Sequence, residues 1–194
     1  MNAKNVLVTG ATGFLGGHLV ERLLQKNHNV SVLVRKSSRL DNFNSAAVKI
    51  FYGDITNRQA LLDACQNQDI VYHLAGVIAY KKADRPIMEK VNVEGTNNVI
   101  DACITNKVSQ FLHLSSVVTI GASFKPVPIN EDFQYNLSSY NLGYFETKRK
   151  AEELVIKAVR NDGLNAFMVN PSTIYGAGDA KKGSRKTQLK VAKG

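Results

Sequence analysis

The chain of 194 residues has few of the features that mark secreted, metal-binding or membrane-spanning proteins. Its two cysteines, Cys65 and Cys103, lie far apart and have neither a CxxC partner nor a nearby pair of histidines. Such spacing favours buried reduced thiols over a disulfide framework, a metal site or a thiol nucleophile. No apolar run approaches the roughly 18 residues that a membrane span requires. The sequence therefore predicts no metal ion and no membrane contact.

The first residues show no pattern typical of a leader segment, and the sequence shows no nucleic-acid-binding motif. Its N-terminus, MNAKNVLV, enters a candidate strand without a basic leader or cleavage site, which predicts a cytoplasmic protein. Lys and Arg number 25 against 16 Asp and Glu, a formal charge of +9, and much of the excess lies in 148–150 and 181–193. A basic surface attracts anionic ligands. Because no aromatic residues are interleaved with the tail lysines, we expect no nucleic-acid partner.

Short apolar runs rich in valine, isoleucine and leucine alternate with amphipathic stretches. The runs are almost continuously apolar, which is typical of parallel strands covered on both faces. Strand–helix alternation of this kind predicts an α/β fold with a doubly wound parallel sheet and right-handed crossovers. Segment 120–140 has little periodicity and predicts a long loop. The predicted strands are 5–10, 29–35, 48–54, 69–76, 110–116 and 165–172, and the predicted helices are 14–26, 57–67, 84–106 and 139–161.

Three glycines, Gly10, Gly13 and Gly16, stand at three-residue intervals between the first strand and the first helix. The first permits a tight turn, the second lets a diphosphate approach the backbone, and the third lets the helix pack closely on the strand. The helix N-terminus then offers free N–H groups and a partial positive charge. The spacing is one residue longer than GxGxxG, but the strand–turn–helix context is the required one. The sequence therefore predicts a dinucleotide cofactor on a Rossmann-type sheet.

The second predicted strand ends without an acidic residue. An Asp or Glu at this place accepts hydrogen bonds from the ribose hydroxyls of NAD, but the next acid here is Asp41. Arg35 ends the strand instead, with Lys36 and Arg39 close behind it. A guanidinium pairs with a 2′-phosphate through two charge-assisted hydrogen bonds. The predicted cofactor is NADP(H), and the alternative is that Arg35 is only a solvated strand end.

A tyrosine and a lysine lie one helical turn apart in the segment YFETK. Lys148 falls on the inward, otherwise apolar stripe of its predicted helix, four residues after Tyr144. The pKa of a phenol is near 10, and an ammonium group and a positive nicotinamide ring would lower it. We therefore interpret Tyr144 as the proton donor or acceptor, and Lys148 as the group that tunes it and binds ribose hydroxyls. Ser115 and Ser116 end the fifth strand, where a hydroxyl can hold a substrate oxygen.

Seven motifs in chain order resemble the extended short-chain dehydrogenases/reductases, which include nucleotide-sugar epimerases, dehydratases and dihydroflavonol-type reductases. The last of these groups is the most similar. The resemblance implies an NADP-binding Rossmann domain over 1–180 and, over 181–194, the truncated start of a substrate-binding portion. The motifs are TGATGFLG (9–16), GDIT (53–56), HLAG (73–76), VNVEGT (91–96), LSSVVTIG (114–121), YFETK (144–148) and NPSTIYGAGD (170–179).

The resemblance also implies roles for individual residues. Counting back from Gly121, as the family motif does, selects Ser116 over Ser115 as the catalytic hydroxyl. Asn92 matches an asparagine near the family's active site or is a helix-packing amide, and both interpretations stay open. The implied cofactor contacts are the backbone N–H groups of Phe14 and Leu15 at the diphosphate, Asp54 and Ile55 at the adenine, Ala75 and Gly76 at the ribose, and Pro171 and Ser172 at the nicotinamide end.

Two features distinguish the groups within the family. Dehydratases carry Asp-Glu after the serine-like position, where Val117 and Val118 stand here. Epimerases generally bind NAD and carry an acid after the second strand. Arg35 stands at that place here, which disfavours an epimerase. We therefore expect an NADP(H)-dependent reductase that acts on a small-molecule ketone, aldehyde or alcohol, as a homodimer like its relatives. The alternatives are an epimerase of the same family, or a fragment that binds NADP(H) as a sensor or interaction module without turnover.

Overall fold

Six parallel strands form one sheet in a computed structural model that describes residues 2–179 and residue 191. The strand order is β3-β2-β1-β4-β5-β6, so the chain winds outward from the centre in both directions and reverses between β1 and β4. The predicted doubly wound α/β fold is confirmed. The strands are β1 (Asn5–Thr9), β2 (Asn29–Val34), β3 (Lys49–Tyr52), β4 (Ile70–His73), β5 (Gln110–Leu114) and β6 (Ala166–Val169).

Helices cover both faces of the sheet because successive residues of each central strand point to opposite faces. In β1, Leu7 packs into one apolar layer, and its neighbours Val6 and Val8 pack into the other. All three side chains have no exposed surface, which explains why this strand is continuously apolar. The helices are α1 (Phe14–Gln25), α2 (Arg58–Cys65), α3 (Arg85–Met88), α4 (Gly95–Thr105) and α5 (Gly143–Asp162).

Two predicted helices differ from the observed ones. The helix predicted over 84–106 consists of α3 and α4 joined by a π-helical segment, Glu89–Glu94, which holds the buried Asn92. The helix predicted from residue 139 begins at Gly143, because Asn141 adopts a left-handed conformation with φ of +50° that ends a preceding short turn. Periodicity locates both helical regions but does not reveal such local interruptions.

Several other predictions can be compared with the described residues. Segment 120–140 is irregular apart from one short helical turn, Ser138–Tyr140, as predicted. Cys65 and Cys103 are buried free thiols. Within 2–179 and at residue 191, no helix has both the length and the apolar character needed to cross a membrane. The predicted start of a substrate-binding portion, 181–194, lies outside the described residues except for Val191.

Candidate active site

Two adjoining cavities open at the carboxyl ends of the strands, where ligands bind in open α/β sheets. The first, of about 370 Å³, extends towards β5 and α5. The second, of about 310 Å³, extends towards β2 and β3. The cavities meet where strand order reverses, so one elongated ligand can lie across both. The residues that line both include Gly10, Gly13, Leu74, Ala75 and Gly76.

The glycine loop occupies the junction of these cavities. Gly10 has a φ of +74°, and a Cβ on it would lie 2.6 Å from the backbone nitrogen of Ala75. A Cβ on Gly16 would lie 2.2 Å from the carbonyl oxygen of Gly10. The turn and the close helix–strand approach therefore require glycine at both positions. Gly13 precedes α1, whose first turn has neither a side-chain cap nor an acidic residue.

The residues at this junction fit a dinucleotide. Free N–H groups at the start of α1 face the first cavity, where Phe14 and Leu15 are lining residues, and such groups bind phosphate. Ser115 lines the same cavity, but its hydroxyl is buried away from it and has no hydrogen-bond partner within the described part of the chain. Uncapped N–H groups and a cradle without side chains are features that a polar ligand would complete.

The second cavity brings together the residues assigned to the adenosine end. Arg35, Asp54 and Ile55 all line it. Arg35 is exposed at the end of β2, next to the cavity opening. Asp54 also stabilises its own turn, because its Oδ1 accepts hydrogen bonds from the backbone nitrogen (2.9 Å) and hydroxyl (2.8 Å) of Thr56. The structure therefore places all three side chains where the sequence predicts a ligand contact.

The first cavity brings together Ser116, Tyr144 and Lys148, and Pro171 and Ser172 also line it. Burial raises the pKa of Tyr144 above its ordinary value of 10, and the side chain of Ser116 partly offsets this rise. The phenol is therefore protonated at neutral pH. In the chain by itself, Ser116 and not Lys148 is the group that lowers the pKa of Tyr144.

Lys148 is buried, with only 5% of its surface exposed. Its Nζ donates a hydrogen bond to the carbonyl oxygen of Leu114 (2.7 Å) and lies 3.4 Å from Nε2 of His113. Burial lowers the pKa of Lys148 from 10.5 to about 8, and the Glu152 carboxylate opposes this change. The inward position predicted from the helical stripe is confirmed. An ammonium with so few protein partners keeps donor capacity for a ligand.

Asn92 is a buried amide whose hydrogen bonds join two segments of the chain. Its Oδ1 accepts a hydrogen bond from the backbone nitrogen of Val77 (2.8 Å). Its Nδ2 donates to the carbonyl oxygen of Val77 (2.9 Å) and to the hydroxyl of Thr147 (3.1 Å). Both hydrogens of the amide are used, so Asn92 fixes the segment after β4 against α5. Asn92 also lines the first cavity, so both interpretations left open by the sequence stay open.

The structure also reveals site residues that sequence reasoning missed. Val77, Ile78 and Tyr80 line the first cavity from the irregular segment that follows β4. A third cavity, of about 360 Å³, lies between 79–88 and 140–145, and Tyr80 and Tyr144 line both it and the first cavity. No spacing rule marks these residues, since irregular segments carry no periodicity. Only their proximity to HLAG (73–76) is a signal.

Two buried histidines lie behind the site. Nδ1 and Nε2 of His73 are 2.7 Å and 3.0 Å from the hydroxyls of Thr9 and Thr96. The rings of His73 and His113 are 5.4 Å apart. Burial and the charge of Lys148 lower the pKa of His73 from 6.5 to about 3, and the same effects lower that of His113. Both imidazoles are therefore neutral at physiological pH.

Because the pKa values of these two histidines are lowered in the folded chain, we expect the protein to lose stability in acid. Below pH 6.5 an unfolded imidazole takes up a proton that the folded one resists, so the free energy of unfolding falls as pH drops from 6.5 towards 3. Each histidine contributes a slope of at most about 1.4 kcal/mol per pH unit. His73→Gln should have a lower free energy of unfolding at neutral pH. Its free energy of unfolding, measured by denaturant titration at several pH values, should also depend less steeply on pH. His18→Gln removes an exposed imidazole as the control, and equal slopes in all three proteins would contradict this account.

Comparisons with known proteins agree with this fold. The model of the NAD-dependent epimerase/dehydratase family matches residues 6–193. Sterol demethylase protein B of Methylococcus capsulatus is 32% identical over 174 residues, which cover 89% of this chain and 52% of the relative. A dihydroflavonol 4-reductase-like protein of Synechocystis sp. is 31% identical over 176 residues, covering 90% of this chain and 50% of the relative.

A solved structure is also similar. The UDP-glucose 4-epimerase of Brucella ovis in complex with NAD has a TM-score of 0.77 and 25% identity, covering 87% of this chain and 51% of that chain. The chain spans about half the length of the curated relatives that it matches. The family match extends over nearly the whole sequence and agrees with the glycine loop and the strand order described above. The chain therefore belongs to the NAD-dependent epimerase/dehydratase family, within the extended short-chain dehydrogenases/reductases.

Proposed function

We propose that the chain binds NADP(H) across the first two cavities. The diphosphate would lie on the start of α1, with the adenosine in the second cavity and the nicotinamide in the first. The uncapped first turn of α1 and the glycine cradle support the diphosphate position. The exposed Arg35 guanidinium and the absence of an acid between it and Asp41 support the 2′-phosphate. When bound, the nicotinamide donates or accepts a hydride.

We further propose that the site reduces a ketone or aldehyde, or oxidises the corresponding alcohol. The observation that carries this proposal is that Ser116, Tyr144 and Lys148 share one cavity with the start of α1. The protonated phenol of Tyr144 would donate its proton to the carbonyl oxygen as the carbon takes up hydride. Ser116 would hold that oxygen by a hydrogen bond. Lys148 would bind ribose hydroxyls with its remaining N–H groups.

The third cavity supports an apolar substrate. It joins the first cavity at Tyr80 and Tyr144, and Met88, Leu142 and Phe145 provide apolar walls. Lys81, Lys82 and Arg85 also line it, with charged ends that can stay in water. A carbonyl placed beside Tyr144 would leave the rest of the molecule among the apolar side chains. Aromatic and thioether groups pack well against rings and alkyl chains. We therefore propose that the reacting carbonyl belongs to a largely apolar molecule.

The test is steady-state oxidation of NADPH with a panel of ketones and aldehydes, compared with direct NADPH binding by fluorescence. Apolar cyclic ketones should be reduced faster than short polar aldehydes. A chain that binds NADPH and reduces no member of the panel would contradict the catalytic proposal and favour the sensor alternative. A chain that binds neither NADPH nor NADH would contradict the cofactor proposal as well.

Cofactor preference depends on Arg35. Arg35→Ala should lower the affinity for NADPH about 10- to 100-fold, because a hydrogen bond to a charged group contributes about 1.5–3 kcal/mol. The affinity for NADH should change little. Arg39→Ala is the matched control, since the Arg39 guanidinium is paired with Asp41 at 2.8 Å. Equal dissociation constants for NADPH and NADH in the unmodified chain would contradict this prediction.

Other predictions stay open. The homodimer, the cytoplasmic location and the division at residue 180 remain predictions of the sequence and of the family resemblance.

A further inference from the structure

A buried carboxylate joins the helix of the proposed site to the loop that carries its serine. Glu152 lies on α5, one turn after Lys148, and only 5% of its surface is exposed. Its Oε1 is 2.8 Å from the hydroxyl of Thr119 and 2.5 Å from Nδ2 of Asn170. A buried carboxylate is costly unless it is hydrogen-bonded and paired with a charge. Such a group at this place therefore needs an explanation.

The same partners contact the backbone of Ser116. Nδ2 of Asn170 lies 3.2 Å from the carbonyl oxygen of Ser116, and the hydroxyl of Thr119 lies 2.8 Å from it. The Thr119 hydroxyl has one hydrogen to donate, whereas the Asn170 amide has two. Asn170 can therefore donate to Glu152 and Ser116 at once and tie the serine turn to α5.

The carboxylate of Glu152 also places a negative charge near the buried ammonium of Lys148. Lys148 carries a buried ammonium, and Glu152 is the group that raises its pKa against the effect of burial. Arg149 lies on the outer side, with Nη1 3.9 Å from Oε2 of Glu152 and 3.2 Å from the carbonyl oxygen of Thr119. The titratable groups around Lys148 are His73 of β4, His113 of β5, and Tyr144 and Glu152 of α5, and the buried Asp179 lines the same cavity. Of the two carboxyl groups, Glu152 stands one helical turn from Lys148 and is the one that raises its pKa.

We propose that Glu152 is a positioning residue for the site: its carboxylate holds the turn that carries Ser116 and supplies the counter-charge for the buried ammonium of Lys148. This proposal rests on the proposed function in one respect: the proposed function assigns Ser116 to the substrate oxygen and Lys148 to the ribose hydroxyls. The hydrogen bonds and the counter-charge are properties of the chain without cofactor or substrate. They can therefore be measured independently of any activity.

The first experiment follows the side-chain NMR resonance of Lys148 as a function of pH, with no substrate present. Glu152→Gln keeps the shape and the Oε1 acceptor but removes the charge. The pKa of Lys148 should fall by about one unit, because the variant removes an opposite charge one helical turn away, and a neighbouring opposite charge shifts a pKa by about 1–3 units. Glu153→Gln is the matched control, because Glu153 is more exposed and pairs with Arg149 at 3.2 Å. An unchanged titration in Glu152→Gln would overturn the counter-charge role.

The second variant, Thr119→Val, removes a hydroxyl of the serine turn while leaving the charge of Glu152 in place. It should leave the Lys148 titration unchanged and lower kcat about tenfold or more, with the KM for cofactor retained. A kcat equal to that of the unmodified chain would overturn the turn-holding role. If all proteins lack turnover while the Lys148 shift is present, the hydride-transfer proposal fails and the counter-charge role stands.

The unmodified chain provides a check if Glu152→Gln does not fold. The carboxyl carbon of Glu152 should then change its NMR shift through the same pH range as Lys148 titrates, because the two charges interact. A carboxyl resonance that stays constant over that range would overturn the proposal.

Discussion

Replacing Tyr144 with phenylalanine is expected to reduce turnover about 100- to 10,000-fold, the usual contribution of a positioned proton donor. Phenylalanine keeps the ring and removes only the hydroxyl that would protonate the substrate oxygen. The dissociation constant for NADPH should change little, because the proposed arrangement puts Tyr144 beside the substrate and assigns the diphosphate contacts to the glycine loop at the other end of the first cavity. Single-turnover kinetics with an accepted ketone, together with fluorescence titration of NADPH, would measure both quantities.

The control is Tyr175→Phe, which removes a hydroxyl from a half-exposed tyrosine. Tyr175 is not among the residues that line the first cavity. Its turnover should match that of the unmodified chain. If Tyr144→Phe also retained full turnover, Tyr144 would not be the proton donor, and the proposed chemistry would have to be abandoned while the cofactor proposal survived.

Replacing Gly16 with alanine is expected to damage both stability and cofactor binding. The added Cβ would lie 2.2 Å from the carbonyl oxygen of Gly10 and 2.8 Å from the Cα of Ala11, so α1 must move away from the end of β1. Overpacking of this kind lowers the free energy of unfolding by about 1–3 kcal/mol. The displaced start of α1 would also lose its alignment with the diphosphate. We expect at least a tenfold loss of NADPH affinity, measured beside a denaturant titration.

Gly143→Ala is the matched control for this substitution. Gly143 also lies in the first turn of a helix, but its added Cβ would meet Cε of Met88 at 3.0 Å, which is the far end of a flexible side chain. The backbone need not move, and alanine favours the helix. Unchanged NADPH affinity in Gly16→Ala would contradict the proposed position of the diphosphate, whatever happened to stability.

The sheet and the glycine turn could be predicted because their signals are local in sequence. Continuous apolar runs such as 5–9 identify strands buried on both faces, and the three glycines identify a close helix–strand contact. Lys148 was recognisable as an inward residue because four-residue spacing from Tyr144 places both on one helical face. Each of these inferences depends on neighbours within about one turn or one strand.

The rest of the site depends on residues that are distant in sequence. Nothing in the sequence places His113 3.4 Å from Lys148, since the pair is formed by the packing of α5 on β5. The hydrogen bond between Asn92 and the backbone of Val77 depends on a π-helical segment that periodicity does not reveal. Glu152 stands one turn after Lys148, so its inward direction was predictable, but its bond to Asn170 was not.

By itself, the sequence determined the family, the doubly wound sheet and the glycine cradle, because these follow from residue types at short, regular spacing. It also determined which residue types end β2 and β5. Only the tertiary structure decided the ionisation of the site. The pKa of Tyr144 is raised and that of Lys148 is lowered by burial, and burial is a property of the whole packed chain. A helical stripe gives the direction of a side chain, whereas its charge depends on every element packed against it.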